Sequence, residues 1–252
     1  MVSLQPRTVE QSPRQLAGNE VLALDRADTV WQVISGQVGV FCVGWHQGEP
    51  VGIRRHLFTV MPGEWLLGGV PEDLGLVAIA FEPTALRSLG NPAAVGRTLA
   101  APELDQWLQR FSHIDGFPRL TATTSLPEPD CKYCSLNPHD VYQAPSPVWG
   151  KLRQGQAHWL GQADWPLDSE SPWFPLMPQA GLQASTPVEL EILTTAELAE
   201  LPVAGLAQFH RYTLQALVQV TNTDRQQQFR RFQARQQLNQ KTTQTALSGL
   251  AS

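Results

Sequence analysis

The chain has 252 residues, 42% of them hydrophobic and 16% charged, long enough for one large or two small domains with a substantial core. Its net charge of −5 argues against nucleic acid as a partner, because a nucleic-acid binder carries a basic face. No apolar run approaches the roughly 18 residues of a membrane span, the first residues hold no apolar signal core, and three cysteines cannot all pair with one another. These features predict a soluble chain in a reducing, cytoplasmic compartment.

Residues 1–20 read as a polar, flexible leader. Strand signals begin at Val21-Leu22-Ala23-Leu24, and Asp25, Asp28 and Thr29 supply a turn before Val30. From Val30 to Gly69 short apolar runs alternate with sharp joints at Ser35-Gly36, Gln47-Gly48-Glu49-Pro50 and Met61-Pro62-Gly63-Glu64. Gly and Pro are what such reversals require, since Gly reaches positive φ and Pro presets φ. The apolar run Leu76–Phe81 closes a β-roll, expected over 21–115 together with following helices. Thr84–Leu89 and, more clearly, Pro102–Phe111 have helical spacing, with Leu104, Trp107, Leu108 and Phe111 on one stripe.

A Pro/Ser-rich linker is expected over 116–147 and a second, smaller β unit over 148–195, with strand signals at Val148–Leu152, Ala157–Gly161, Gly181–Ala184 and Val188–Leu193. No residue-by-residue match between the two β units stands out, so any repeat is architectural. Thr194-Thr195-Ala196-Glu197 is a helix start. A long C-terminal helical segment is expected over 196–252, with Leu206, Phe209, Thr213, Leu217 and Val220 at helical spacing. Arg225, Arg230, Arg231 and Arg235 then collect against the single acid Asp224. That composition fits either a solvated charged helix or a helix approaching anionic lipid.

The fold class is therefore mainly β with α: a jelly roll of the cyclic-nucleotide-binding-like or cupin-like kind, a second β unit and a helical tail. In the nucleotide-binding form of such a roll the ligand sits just after the Gly63-Glu64 turn. It needs helix N–H groups for phosphate, an acid for the ribose and an arginine for the phosphate charge. The run Trp65–Leu76 contains no arginine, and its acids Glu72 and Asp73 repel phosphate. Arg54 and Arg55 lie on the preceding strand, with no spacing argument to place them in the site.

A cupin metal would need closely spaced inward histidines, and His46 and His56, with Glu49 and Glu64, lack that spacing. Cys131 and Cys134 form a C-x-x-C pair with His139 five residues on, a weak zinc signal without a second pair. Cys42, between Phe41 and Val43, reads as a small buried apolar residue. Trp31, Trp149 and Trp159 read as roll core. No P-loop, G-x-S-x-G, G-x-G-x-x-G or H-E-x-x-H occurs, so no catalytic residue, resident metal or cofactor is expected, and the ligand-binding residues are unknown.

Several stretches together are similar to one family. They are Trp31–Gly36 with Val38–Phe41, Gly52–Phe58, Pro62-Gly63-Glu64 with Gly68, Gly155-Gln156-Ala157, and the late arginines leading to Ala246–Leu250. In these the chain resembles the cytosolic N-terminal region of the ABC-transporter subunits of NHLM-type bacteriocin export systems. The resemblance implies a degenerate cyclic-nucleotide-binding-like domain, followed in a full exporter by membrane and ATPase domains. It implies a non-catalytic regulatory or docking role in peptide secretion, at the cytoplasmic face of the membrane. The expected partners are the remainder of the transporter and its peptide cargo, with a homodimer in full context and no nucleic acid. Arg225, Arg230, Arg231 and Arg235 would be the residues nearest the membrane surface, the chain being the front end of a longer exporter. The alternative is a stand-alone small-ligand or cyclic-nucleotide-type sensor.

Overall fold

The structure, a computed structural model, describes residues 12–90, 97–115, 117, 118, 120, 132–178 and 180–219. Eight strands form a first roll: β1 (Arg14–Leu16), β2 (Val21–Ala23), β3 (Val30–Ser35), β4 (Val38–His46), β5 (Glu49–Val60), β6 (Trp65–Leu67), β7 (Leu74–Ala80) and β8 (Thr84–Gly90). They pair antiparallel in two four-stranded sheets, ordered β1-β8-β3-β6 and β2-β7-β4-β5. This is the strand order of a jelly roll, in which the two sheets close their inner faces on each other. The leader therefore ends earlier than expected, because Arg14–Leu16 pair with Leu86–Thr84 and Leu16 enters the core. Thr84–Leu89 is likewise strand and not helix: β8 is held between β1 and β3, and that pairing overrides a short run of helical spacing.

The second β unit is a complete roll and not a smaller one. β9 (Tyr133–Leu136), β10 (Val141–Tyr142), β11 (Val148–Gln154), β12 (Gln156–Trp159), β13 (Pro166–Asp168), β14 (Phe174–Leu176), β15 (Leu182–Ala184) and β16 (Val188–Leu193) form two more four-stranded sheets. Their orders are β9-β16-β11-β14 and β10-β15-β12-β13, which is the first roll with eight added to each strand number. The expected linker 116–147 thus contains β9 and β10. Residues 121–131 of it lie outside the described residues.

The two rolls also match residue by residue at their joints, contrary to expectation. Leu16-Ala17-Gly18-Asn19-Glu20-Val21 corresponds to Leu136-Asn137-Pro138-His139-Asp140-Val141. In each, the acid accepts from the N–H three residues back, Ala17 N to Glu20 Oε2 and Asn137 N to Asp140 Oδ2, both at 2.9 Å. At the β3–β4 and β11–β12 corners, Gly36 (φ +79) and Gly155 (φ +87) both precede glutamine. A Cβ on Gly36 would meet Pro83 O and Thr84 Cα at 2.8 and 2.9 Å. One on Gly155 would meet Pro187 O and Val188 Cα at 2.1 and 3.0 Å. Both prolines begin the pattern P-x-x-L-x-x-L, Leu86 in one roll and Leu190 in the other being buried. We read the chain as a duplicated roll whose register is carried by turns, the positions where backbone conformation restricts residue type most.

Two helices tie the rolls into one core. Helix α1 (Arg97–Ser112) starts before Pro102, which lies inside it, and buries the expected stripe Leu104, Trp107, Leu108 and Phe111. Helix α2 covers residues 203–219 and buries Leu206, Phe209, His210, Thr213 and Leu217. The expected continuation of the C-terminal helical segment lies outside the described residues. Between the helices, Phe111 meets Phe209 edge-on at 5.5 Å and Phe58 of β5 at 5.2 Å. Trp159, Trp165, Phe174 and Tyr212 continue the aromatic layer into the second roll. Such pairs add about 0.5–1.5 kcal/mol each beyond the apolar area they bury.

Trp149 and Trp159 are fully buried as expected, and Trp31 is partly buried, packed against the core beneath the Arg14 guanidinium at 5.9 Å. Trp149 Nε1 donates to Thr195 Oγ1 at 2.9 Å, and that hydroxyl donates to Asp105 of α1. Thr195 belongs to the 3-10 turn Thr195–Glu197, which Glu197 caps through Thr194 N at 2.9 Å. The predicted helix start is therefore one turn that fastens the second roll to α1.

Candidate functional site

The region after the Gly63-Glu64 turn, tested in the sequence for a nucleotide site, is built from the 61–64 turn, the segment after β6, and the two helices. Glu64 is committed there. Its Oε2 accepts from Met61 N at 2.6 Å, and its Oε1 accepts from Gln106 Nε2 at 2.7 Å and from Arg110 Nη2. Arg110 also donates to Thr59 O and lies over the Phe58 ring at 5.6 Å. Each group therefore neutralises the other in a half-buried setting, and the carboxylate holds α1 against the roll.

Residues 68–73 form no helical turn, so this segment has no helix N-terminus. The N–H of Gly68 donates to Thr29 O at 3.3 Å and that of Gly69 to Leu24 O at 2.9 Å, which leaves neither amide for an anion. A Cβ on Gly68 would lie 2.0 Å from Arg26 O, and one on Gly69 would lie 3.2 Å from His210 Nδ1. The bare Gly68 and Gly69 thus admit the protein's own backbone and the α2 imidazole.

His210 is the functional-looking residue that sequence reasoning passed over. It is buried, and Trp107 Nε1 donates to its Nε2 at 2.9 Å, so the ring proton of the neutral imidazole sits on Nδ1. That Nδ1 meets no acceptor among the described residues. Burial pushes the imidazole pKa down to about 3, so the ring is neutral at physiological pH. The signal was present in the sequence: His210 stands beside Phe209 and three residues before Thr213, on the apolar side of α2.

The other expected residues are dispersed. Arg55 donates from Nη1 to Leu217 O at 2.7 Å and from Nη2 to Asp115 O at 3.0 Å, so it fastens the ends of both helices to β5. Arg54 is exposed. His46 registers with Glu49 and His56 with Phe41, which puts them five residues of β4 apart, or about 17 Å at ~3.4 Å per residue. His56 packs on Phe41 and Phe81 at ring distances of 5.1 and 6.2 Å. Cys42 is in the core, and burial raises its thiol pKa to about 11.

Of the C-x-x-C candidates, Cys131 lies outside the described residues. Cys134 is buried in β9, where it registers with Leu190. His139 is exposed on the turn, with the left-handed backbone that its counterpart Asn19 also adopts. Among the described residues no group of three His, Cys, Asp or Glu side chains converges for a metal ion.

No protein-family model matches the chain, and no curated protein matches it. Among solved structures it is similar to a transcriptional regulator of the CRP family from Thermus thermophilus, at 17% identity and a TM-score of 0.31, over 41% of this chain and 52% of that one. It is similar to a CooA mutant from Carboxydothermus hydrogenoformans, at 15% identity and TM-score 0.24, over 31% of this chain and 47% of that one. It is also similar to the CO-sensing protein from R. rubrum, at 18% identity and TM-score 0.24, over 39% of each chain. The chain spans about half or less of the length of these proteins. The weak superpositions carry no functional argument. The strand order itself defines the class: a tandem jelly-roll protein with its two rolls joined by paired helices.

Proposed function

We propose that the chain is a non-catalytic regulatory and docking module of a peptide-exporting ABC transporter, acting at the cytoplasmic face of the membrane. The observation that carries the non-sensing part of this reading is the self-occupied ligand end of the first roll. Glu64 is held by Arg110 and Gln106, the Gly68 and Gly69 amides are spent, and His210 stands over Gly69. A roll so filled serves as a rigid body, and the shared aromatic core makes both rolls move together. The transporter context is supported by the sequence resemblance. No helix among the described residues is long and apolar enough to cross a membrane, so membrane association would come through a partner or a further segment.

The test is in-cell photocrosslinking from an exposed position such as Ile53, followed by identification of the crosslinked chains. The reading expects the membrane or ATPase domain of a peptide exporter. Crosslinks confined to a promoter complex or to other soluble regulators would contradict it and favour a sensor.

A further inference from the structure

Two cavities, of about 500 and 580 Å³, lie end to end in the groove between the rolls, divided by the Arg211–Glu72 bridge at 2.9 Å. The floor is one stripe of α2, with Ala204, Ala207 and Arg211 under one cavity and Arg211, Gln215 and Val218 under the other. One wall is the first roll's segment after β6, with Val70, Glu72 and Asp73. The other wall comes from the second roll, with Asp164 and Trp165 before β13 and Glu170 after it.

The floor from Ala204 to Val218 is about 21 Å long at ~1.5 Å per helical residue. That length accommodates about six residues of extended chain at ~3.4 Å each. The floor is apolar and small at Ala204 and Ala207, and Val70 stands 58% exposed at the rim. Both walls are acidic. Among the described residues, Arg211 is the only lining cation, and it is already paired with Glu72. Asp168 is consumed by its own turn, accepting from Ser171 N at 2.9 Å and Glu170 N at 3.0 Å. Among the described residues, Asp73, Asp164 and Glu170 enter no ion pair.

We propose that this groove docks an extended peptide segment carrying adjacent basic residues. Successive side chains of an extended segment point to opposite sides. Neighbouring lysines or arginines of a segment lying along α2 would therefore reach Asp73 and Asp164 on the two walls of one cavity, and a further basic residue would reach Glu170 in the next. A segment with alternate basic residues would address one wall only. This goes beyond the transporter reading and stands without it, since the crosslinking experiment above can fail while the groove still binds.

The probe is a fluorescein-labelled Ala-Lys-Lys-Ala-Lys-Lys-Ala peptide, titrated by fluorescence anisotropy against the full chain at low salt. Saturable binding is expected, weakened about tenfold in the triple variant Asp73→Asn, Asp164→Asn, Glu170→Gln. It should stay within about twofold in the control Glu49→Gln, Glu82→Gln, Glu200→Gln, which loses the same net charge elsewhere. Ala204→Arg, at an exposed floor position, should also block it, and circular dichroism melts establish that each variant is folded. Equal binding by wild type and the triple variant, or equal binding of the Glu-for-Lys peptide, overturns the proposal. Binding seen only after Arg225, Arg230, Arg231 and Arg235 are changed to Glu would support the groove's chemistry and name the chain's own basic segment as the occupant.

Discussion

Asn19 and His139 hold the same position in the two rolls. Both are left-handed, at φ 68° and 74°, and both donate their N–H at 2.7 Å, to Ala80 O and Ala184 O respectively. The returning bonds, Ala80 N to Glu20 O and Ala184 N to Asp140 O, measure 3.1 and 2.9 Å. One turn design thus starts each roll, and a histidine that resembled a zinc ligand in the sequence serves as a turn residue.

Equal roles predict equal costs. Asn19→Val and His139→Val should each destabilise by about 2 kcal/mol in urea unfolding, because a β-branched residue strongly disfavours this backbone region. His139→Gly should be neutral or stabilising. A large loss for His139→Gly, or a zinc-dependent melting temperature, would contradict the turn assignment.

Gly155 gives a sharper contrast. It combines positive φ with a Cβ position 2.1 Å from Pro187 O, whereas Gly48 has positive φ, +84°, and open space. Gly155→Ala should therefore cost well over about 2 kcal/mol, and Gly48→Ala about 1 kcal/mol. Similar midpoints for the two variants would dissolve the close-packed corner shared with Gly36.

Much of the first roll was legible because its strands are bounded by Gly and Pro at reversals that need them. Ser35-Gly36, Gly48 and Gly63 mark the joints of β3 to β6. The second roll was harder to read. Its β10 is two residues long, β13, β14 and β15 are three each, and no periodicity emerges over such lengths. Its likeness to the first roll resides in hydrogen bonds of the turns, where Asn-Glu and His-Asp do one job with different residues. The site was half legible. The lack of arginine after Glu64 was visible, but the groups that fill the space come from Arg110 and His210, 46 and 146 residues away along the chain.

His210 makes stability pH-dependent in a definite direction. Its folded pKa lies near 3 against an ordinary 6.5, so between these values the unfolded chain takes up a proton that the folded chain refuses. Stability from this group is complete above pH 6.5 and falls as pH drops toward 3, at a limiting slope of about 1.4 kcal/mol per unit. His210→Gln keeps an acceptor for Trp107 and removes the titration. Urea midpoints at pH 7.5, 6 and 5 should diverge between wild type and variant. Parallel curves would show that His210 is not excluded from solvent.

Glu64 and Arg110 should couple strongly, since each is only about one-fifth exposed and their bond fixes α1 on the roll. Glu64→Ala or Arg110→Met alone should cost about 2–3 kcal/mol. The double variant should cost clearly less than the sum. Strict additivity would mean that the pair does not anchor the helix.

The central claim is that the space after the Gly63-Glu64 turn of the first roll is taken by the protein's own Arg110, Gln106 and His210 and holds no nucleotide. Isothermal titration calorimetry with cAMP and cGMP tests it most directly. The account predicts no binding heat at about millimolar nucleotide, and no rise in melting temperature, where a saturating ligand would stabilise by a few kcal/mol. Stoichiometric binding that disappears on enlarging Gly69 to Ala, next to His210, would contradict it.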